Sequence, residues 1–442
     1  MVKLIGSFSQ LKPARILVVG DFMLDTYTTG RVQRISPEAP VPILHVKETQ
    51  HLPGGAGNVV LNLKALGASV VCVGRIGPDI EGKRLKSLLE AEAVDTAGLF
   101  VQKATRTPVK NRLIAGSQQL MRVDDETLIS IDQSVEKKVL SYINTQLDEI
   151  EVIAVSDYGK GFLSKTLLAA LIQEGNKRKI PILVDPKGDD FSRYTKATMI
   201  KPNFKEAVEA AKLGSDATLD EVGHKLVRMT QTKHIIVTRS EAGISLFDNK
   251  KQRFDFPVKV REVIDVTGAG DTVLAVTAMA YAADLDLKEG LHLANVAASI
   301  AIERLGCVRV SLSDIAERLL ETDVVNKVFD EHHLFALEQA LKNKKLTILG
   351  LSSKEDLSAA LFAKIQTLAL ADSEGKLMIY LTDEKPDEHF VALLSSLHEV
   401  DYIVLKSDSL SSLCEKIHPA RVFSMDGKNL LSVDHHHDLV SV

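Results

Sequence analysis

From Arg15 onward, short apolar runs recur along the chain, each about four to six residues long and unbroken rather than alternating. "RILVVGD", "SVVCVG", "VIAVSD", "PILVDP", "TMIKPN" and "HIIVTRS" are of this kind, the pattern of strands buried on both faces. Between them lie stretches with helical apolar spacing, such as Ala56 to Leu66. Strand and helix in alternation predict an α/β fold on a parallel, doubly wound sheet. The segment "TTGRVQRISPEAPVPILHVKETQHLPGG" breaks the rhythm. It is rich in β-branched residues and proline and lacks a helical period, so edge strands or a β-flap are expected there.

A second, smaller alternation follows. "SDIAERLLETDVVNKVFDEHHLFALEQALKNKK" is charged and helical and leads out of the first domain. Strand "LTILGL" comes next, then a helix over Glu355 to Leu370, strand "KLMIYL" and a helix around Glu388 to Leu397. Strand "DYIVL", a helix around Leu410 to Ile417 and strand "RVFSM" complete a small Rossmann-like unit. The expected division is a first domain over 1–325, a linker helix over 326–345 and the Rossmann-like domain over 346–442.

Composition narrows the function classes. A length of 442 residues allows two or three domains, each able to bury a core. A net charge of −5 argues against a surface given over to nucleic acid, while leaving room for a local basic pocket. Cys72, Cys307 and Cys414 are far apart and form no C-x-x-C pair, which suits a reducing cytosol. No run approaches the ~20 apolar residues of a membrane span. The first residues, broken by Lys12, Pro13 and Arg15, do not make a signal peptide. A cytoplasmic protein without membrane or nucleic-acid partners is expected. The histidines of "DHHHD" near the end are consecutive and cannot all face one ion in a regular element.

The chemistry stands at the strand ends. Asp21, Asp157, Asp185, Asn203 and the pair Thr238-Arg239 each follow an apolar run, where open parallel sheets bind their ligands. Acids, amides and hydroxyls gathered there suit a polyhydroxylated substrate and a nucleotide. In "DVTGAGDTVLAV" (Asp265 to Val276) three small residues and an acid precede an apolar helix expected over Thr272 to Ala283. The phosphate loop of nucleotide hydrolases is excluded, since Asp271 stands where its Lys belongs. The dinucleotide fingerprint fails as well, because Val273 occupies the third glycine position. What remains is an anion site at a helix start with a carboxylate beside it, or simply an Asp N-cap.

Eight segments in order carry a resemblance: "GDFMLD", "RISPEAPVPI", "PGGAGN", "SDYGKG", "DPKGDDFSRY", "KPNFKE", "VTRSEAG" and "DVTGAGDTV". Together they resemble the ribokinase-like sugar kinases, and within them the bacterial heptose-7-phosphate kinases, over about Arg15 to Val310. The resemblance implies a three-layer α/β/α domain with a β-flap lid, acting with ATP and Mg2+. Gly268, Ala269 and Gly270 would form the anion hole for the phosphoryl group in transit. Asp271 would take the proton from the attacking sugar hydroxyl, and Asp21, Asp25, Gly55 and Asn58 would hold the sugar. Asn203 and Glu206 of "NFKE" share a helix face at i and i+3. The resemblance gives them the water shell of Mg2+, with Phe204 and Lys205 beside the nucleotide; the same spacing also fits a capping box. Arg239 would reach the nucleotide's phosphates, with Thr238, Gly243 and Asn295 nearby. Arg112, Arg122, Lys160 and Lys187 are candidates for the sugar's own phosphate, and a solvated surface position suits each of them equally well.

The implied reaction phosphorylates D-glycero-D-manno-heptose 7-phosphate at its anomeric hydroxyl, giving the 1,7-bisphosphate on the way to ADP-heptose and lipopolysaccharide. Rival readings are the same chemistry on another sugar, or a silent binding module on the same scaffold. A homodimer through the flap, about Thr28 to Gln50, is also implied. The family's C-terminal nucleotidyltransferase domain carries a His-x-Gly-His motif after its first strand. Here "LTILGLSSKEDLSAALFAK" has no His, although "LHEVDYIVLKSDSLSSLCEKIHPARVF" still resembles that domain's second half. The chain also ends short of the family's closing segment. A retained fold without adenylyl transfer is expected.

Overall fold

Each unbroken apolar run became a strand in the computed structural model, which describes residues 4–433 except 117, 215, 259–262, 324–326, 356–357, 373, 407–408 and 427–428. Two compact units result, Leu11–Ser311 and Leu312–Val442 together with Met1–Gln10. The expected boundary at 325 lies later than this division. Within the second unit, Val328–Phe329 pairs as a strand with Tyr402–Val404, and helix Leu312–Asp323 packs on helix Leu334–Leu341. The expected linker helix over 326–345 is therefore a strand followed by a short helix.

In the first unit the chain begins with β1 (Arg15–Gly20), β2 (Phe22–Ile35), β3 (Pro42–Gly55), β4 (Ser69–Ile76) and β5 (Leu99–Val101). β6 (Val109–Ala115), β7 (Gln118–Asp125), β8 (Val152–Ser156) and β9 (Ile182–Asp185) come next. β10 (Met199–Ile200), β11 (His234–Thr238), β12 (Ile244–Asp248) and β13 (Arg253–Phe256) complete it. The main sheet runs β13-β12-β11-β10-β9-β8-β1-β4-β5, parallel except for β12, which pairs antiparallel with both β11 and β13. Alternate residues of its strands, Leu17, Val19, Ile153, Val155, Ile182 and Val184, join one core with helices Gln133–Gln146, Lys165–Arg178 and Leu219–Thr230. The intervening residues face helices Ala56–Ala65 and Ala269–Ala282 on the other side. Both faces are covered, which is why the runs are continuous rather than alternating.

The flap is a four-stranded sheet in the order β3-β2-β6-β7. β6 and β7 went unassigned in the sequence. β2 is buried along its first half and exposed from Arg31 onward, so its root is embedded while its tip is open. β2 and β6 pair in parallel, setting Asp25 against Lys110 and Tyr27 against Arg112. This register carries flap cations to the acids at the flap's root.

In the second unit, β14 (Val328–Phe329), β15 (Leu346–Leu351), β16 (Lys376–Leu381), β17 (Tyr402–Val404), β18 (Arg421–Asp426) and β19 (Asn429–Ser432) form a sheet ordered β14-β17-β16-β15-β18-β19. Its pairs are parallel except β18 with β19. Helix Ala359–Leu370 starts later than expected, where the Ser358 side chain caps it by accepting from the Leu361 N–H. The "DHHHD" segment lies outside the described residues. No helix among the described residues is long and apolar enough to cross a membrane.

Candidate active site

The helix of the glycine-rich motif runs Ala269–Ala282, starting three residues before its apolar pattern does. Gly268 is its N-cap at φ 80°, a left-handed conformation that favours glycine, and a Cβ there would lie 2.7 Å from Asn58 Nδ2. Asp271 therefore sits in the first turn, buried beside the free backbone N–H groups of the helix start. Asn58 Nδ2 donates to Asp271 Oδ2 at 2.8 Å, and the Tyr158 hydroxyl donates to Oδ1 at 3.0 Å. Burial, then the Asp185 charge, push Asp271 up to about 7, while the Asn58 amide, Lys201 and the Tyr158 hydroxyl pull the other way. A carboxylate of that basicity is half ionised near neutral pH, where a general base is most useful.

Asp21 follows β1 and is also buried. Its Oδ2 accepts from the backbone N–H groups of Tyr158 at 2.9 Å and Lys160 at 3.1 Å. Burial and the neighbouring Asp157 nevertheless push it up to about 6. Gly54 is a close approach to the other acid, since a Cβ on it would run into Asp25 Oδ2. Gly55 closes β3 next to the Asp21 backbone. Asp25 holds a buried ion pair with Arg112, whose guanidinium also lies 5.2 Å from the centre of the Tyr27 ring. Cys307 Sγ donates to Asp25 Oδ2 at 3.5 Å. Asp21, Asp25, Asn58 and Asp271 are thus brought together around Tyr158 and Cys307.

The basic candidates divide. Lys160 pairs with Glu126 at 2.6 Å, and both side chains are largely buried. Arg122 faces Arg112 across β6 and β7 but is half exposed and spends its guanidinium on Asp124. Lys187 has its stem beside Gly159 but turns its Nζ to Glu206 Oε1 at 2.7 Å, because the turn after β9 carries it toward the "NFKE" helix.

A cavity of about 680 Å3 opens beyond the strand ends, polar at Asp185, Lys187, Lys201, Asn203 and Glu206 and apolar at Ile244, Val263, Val266 and Ile302. Thr238, Gly243, Ala269, Gly270 and Asn295 also line it. Lys201 is buried and reaches Asp185 Oδ2 at 2.9 Å, close to the Cα of Gly270. Asn203 and Glu206 form a full capping box, with Asn203 Oδ1 accepting from the Glu206 N–H and Glu206 Oε2 from the Asn203 N–H. Asn295 Nδ2 donates to the carbonyls of Phe256 and Pro257. Three expected nucleotide residues stand outside the cavity wall. Phe204 is exposed, Lys205 pairs with Glu209 along its own helix, and Arg239 turns to the Ala242 carbonyl and Asp255. Arg239 is the N-cap of a 3-10 turn between Thr238 and Ser240, and its guanidinium lies 3.4 Å from Asp255 on β13.

Residues 13–315 match the pattern of the pfkB family carbohydrate kinases. The chain belongs to that family. It is an ATP-dependent carbohydrate kinase whose matched region includes every side chain of the cleft. Over most of its length the kinase is similar to the bifunctional protein HldE of Geobacter sulfurreducens, 35% identical over 431 residues, with 93% of this chain and 88% of the relative covered. HldE of Campylobacter curvus is 40% identical over 330 residues, covering 74% of this chain and 69% of the relative. Among solved structures, phosphofructokinase-2 of Escherichia coli superposes with a TM-score of 0.59 at 21% identity, over 70% of this chain and 100% of that one. Arabidopsis thaliana ribokinase gives 0.55 at 17%, over 70% and 99%. These last two likenesses establish the ribokinase-like fold.

Sequence reading missed Lys110, Tyr158, Lys201 and Glu126 in this kinase. Lys110 Nζ lies 4.7 Å from the centre of the Tyr158 ring, and burial, despite the attraction of Asp25, holds its pKa below the usual lysine range. Tyr158 and Lys201 do stand inside quoted motifs, "SDYGKG" and "KPNFKE". A buried lysine directly after an apolar strand was the signal available for Lys201.

Proposed function

We propose that this kinase transfers the γ-phosphoryl group of ATP to the anomeric hydroxyl of D-glycero-β-D-manno-heptose 7-phosphate, giving the 1,7-bisphosphate used in ADP-heptose synthesis. The observation that carries the reading is the pairing of a basic end with a base. Lys110, Arg112 and Lys160 gather beside Asp21 and Asp25, while Asp271 stands at the helix start next to the cavity. A sugar bearing phosphate at one end and its reacting hydroxyl at the other fits that layout. Asp271 accepts the hydroxyl proton, and the Gly270 N–H at the helix start meets the charge that develops on the transferred group. Lys201, held by Asp185, adds a positive charge at the same place. The cavity takes the nucleotide, with its phosphates toward Lys187 and Lys201 and its base among Ile244, Val263 and Ile302.

Among the described residues no three acids, histidines or cysteines gather as a metal ligand set. Glu206 and Asp185 share the polar wall of the cavity, and that donor set fits Mg2+, which keeps most of its waters and needs few carboxylates. Bound with ATP, Mg2+ would neutralise phosphate charge; Asn203 and Glu206 would orient its waters.

The second unit supports loss of adenylyl transfer. After β15 the Ser353 N–H donates to Asp383, and Ser352 Oγ donates to the same carboxylate at 3.0 Å. An acid thus occupies one backbone N–H and one hydroxyl at the strand end where a triphosphate would need donors. The flap's apolar tip, with Ile35, Val41 and Val46 exposed, supports a homodimer in which two flaps cover one another. Buried, unpaired thiols at Cys72, Cys307 and Cys414 fit a cytoplasmic location.

ADP release measured with a panel of sugar phosphates tests the reading. Turnover is expected with heptose 7-phosphate and a rise in KM of about 10-fold or more in Lys110→Met, with the KM for ATP unchanged. Equal turnover of phosphorylated and unphosphorylated sugars would refute the role of the basic end. Light scattering that finds a monomer at micromolar concentration would refute the dimer.

A further inference from the structure

Three parts of the cleft meet on one residue. The Tyr158 backbone N–H holds Asp21, its hydroxyl reaches Asp271 Oδ1 at 3.0 Å, and Lys110 Nζ stands 4.7 Å from its ring centre. We propose that Tyr158 is a positioning residue that fixes the carboxylate plane of Asp271 and sets the pH range in which it serves as base. The inference rests on the reading of Asp271 as the base.

The geometry explains why two donors are needed. Asn58 secures Oδ2 alone, and a carboxylate held by one oxygen still rotates about its Cβ–Cγ bond, a broad torsion with little intrinsic preference. A second donor on Oδ1 fixes the plane. Two bonds leave further lone pairs free, since a carboxylate has about four acceptor positions, so a sugar hydroxyl still finds one. The ring is itself confined: a Cβ on Gly55 would lie 3.4 Å from Tyr158 Cδ2, and Lys110 stands over the ring. Tyr158 thereby links the strand end that holds the sugar to the helix start that holds the base.

The charged groups around Asp271 come from several elements. Asp185 at the end of β9 opposes its ionisation, and Lys201 after β10 favours it. The Cys307 thiol, which follows helix Leu287–Ile302, faces it and is held neutral by burial and the Asp25 charge. Tyr158 favours the ionised form by donating to it, as Asn58 does. Burial and the Asp271 charge hold the phenol well above its ordinary range, so it remains a donor at every working pH.

Tyr158→Phe keeps the ring and its lysine contact and removes only the donor. Its kcat at pH 7 is expected to fall about 10-fold with KM values unchanged, and the acid limb of the rate profile to move up by about one pH unit. Activity then recovers under alkaline conditions. Incorporating 3-fluorotyrosine at position 158, a stronger donor in an unaltered shape, is expected to move the limb down. A 13C NMR titration of the Asp271 carboxyl, identified by its loss in Asp271→Asn, reads the same shift without any substrate. An unmoved Asp271 titration in both variants overturns the proposal, as does a lowered melting temperature with an unmoved rate profile. A shifted titration with an unshifted rate profile upholds the contact and overturns Asp271 as the base.

Discussion

Asp21, Asp185 and Asp271 crowd the strand ends, and burial raises the pKa of each, though Lys201 opposes this at Asp185. The crowding has opposite consequences for stability and for rate. Asp271 goes from an ordinary 3.8 when unfolded to about 7 when folded. The protonated side chain suits the native interior, so the stability it contributes is fully present below pH 4 and lost as pH rises through 7. Asp271→Asn should therefore raise the melting temperature at pH 8 by several degrees, on the order of a few kcal/mol, and change it little near pH 4. The asparagine amide can donate to the Tyr158 oxygen while its carbonyl accepts from Asn58, so the packing is kept. Turnover of the same variant should fall by roughly 10²–10⁴-fold, because the amide cannot take a proton. A variant neither more stable at alkaline pH nor slower would leave Asp271 as an ordinary buried acid of the helix's first turn. In the wild type, rate should climb with pH through about 7 as the base ionises.

The "NFKE" helix start shows how one element can serve two ends. Its capping box is complete, so replacing Asn203 and Glu206 by alanine would cost both stability and metal binding and decide nothing. Glu206→Gln separates the two, since glutamine also closes a capping box. The melting temperature should hold while the Mg2+ concentration needed for half-maximal activity rises several-fold. A fall in melting temperature at an unchanged Mg2+ requirement would leave capping as the whole role. Elements of this kind were legible because their signals are local: a cap residue, an apolar run, a glycine before a helix. β6 and β7 were not, since β7 is exposed throughout and β6 is only partly buried, and neither has an apolar face that repeats. Their register decides that Arg112 meets Asp25 and that Lys110 meets Tyr158, and such a pairing across more than eighty intervening residues leaves no mark on local spacing. The ion pair of Arg239 was hidden for a related reason. Its strand end was read correctly, but its partner on β13 is a tertiary neighbour.

At the scale of the whole molecule, every side chain of the cleft belongs to Leu11–Ser311. A chain ending near Asp330 would keep helix Leu312–Asp323 and strand Val328–Phe329 without the sheet and helix they pack on, so the better cut is at Ser311 with removal of residues 1–10. That shortened chain should keep kcat within about twofold of the full protein, since the phosphoryl-transfer groups are all present and phosphoryl transfer depends mainly on their positioning. The full chain should release no pyrophosphate from ATP and heptose 1-phosphate. β15 of its second unit leads into "GLSSK", with no histidine to steady a triphosphate and with Asp383 drawing off the Ser353 N–H. Replacing Asp383 by asparagine lifts the charge without restoring the missing histidines, and transfer should remain absent in that variant too. ADP-heptose formed by the purified protein would show that the second unit has kept its chemistry through residues other than those at the end of β15.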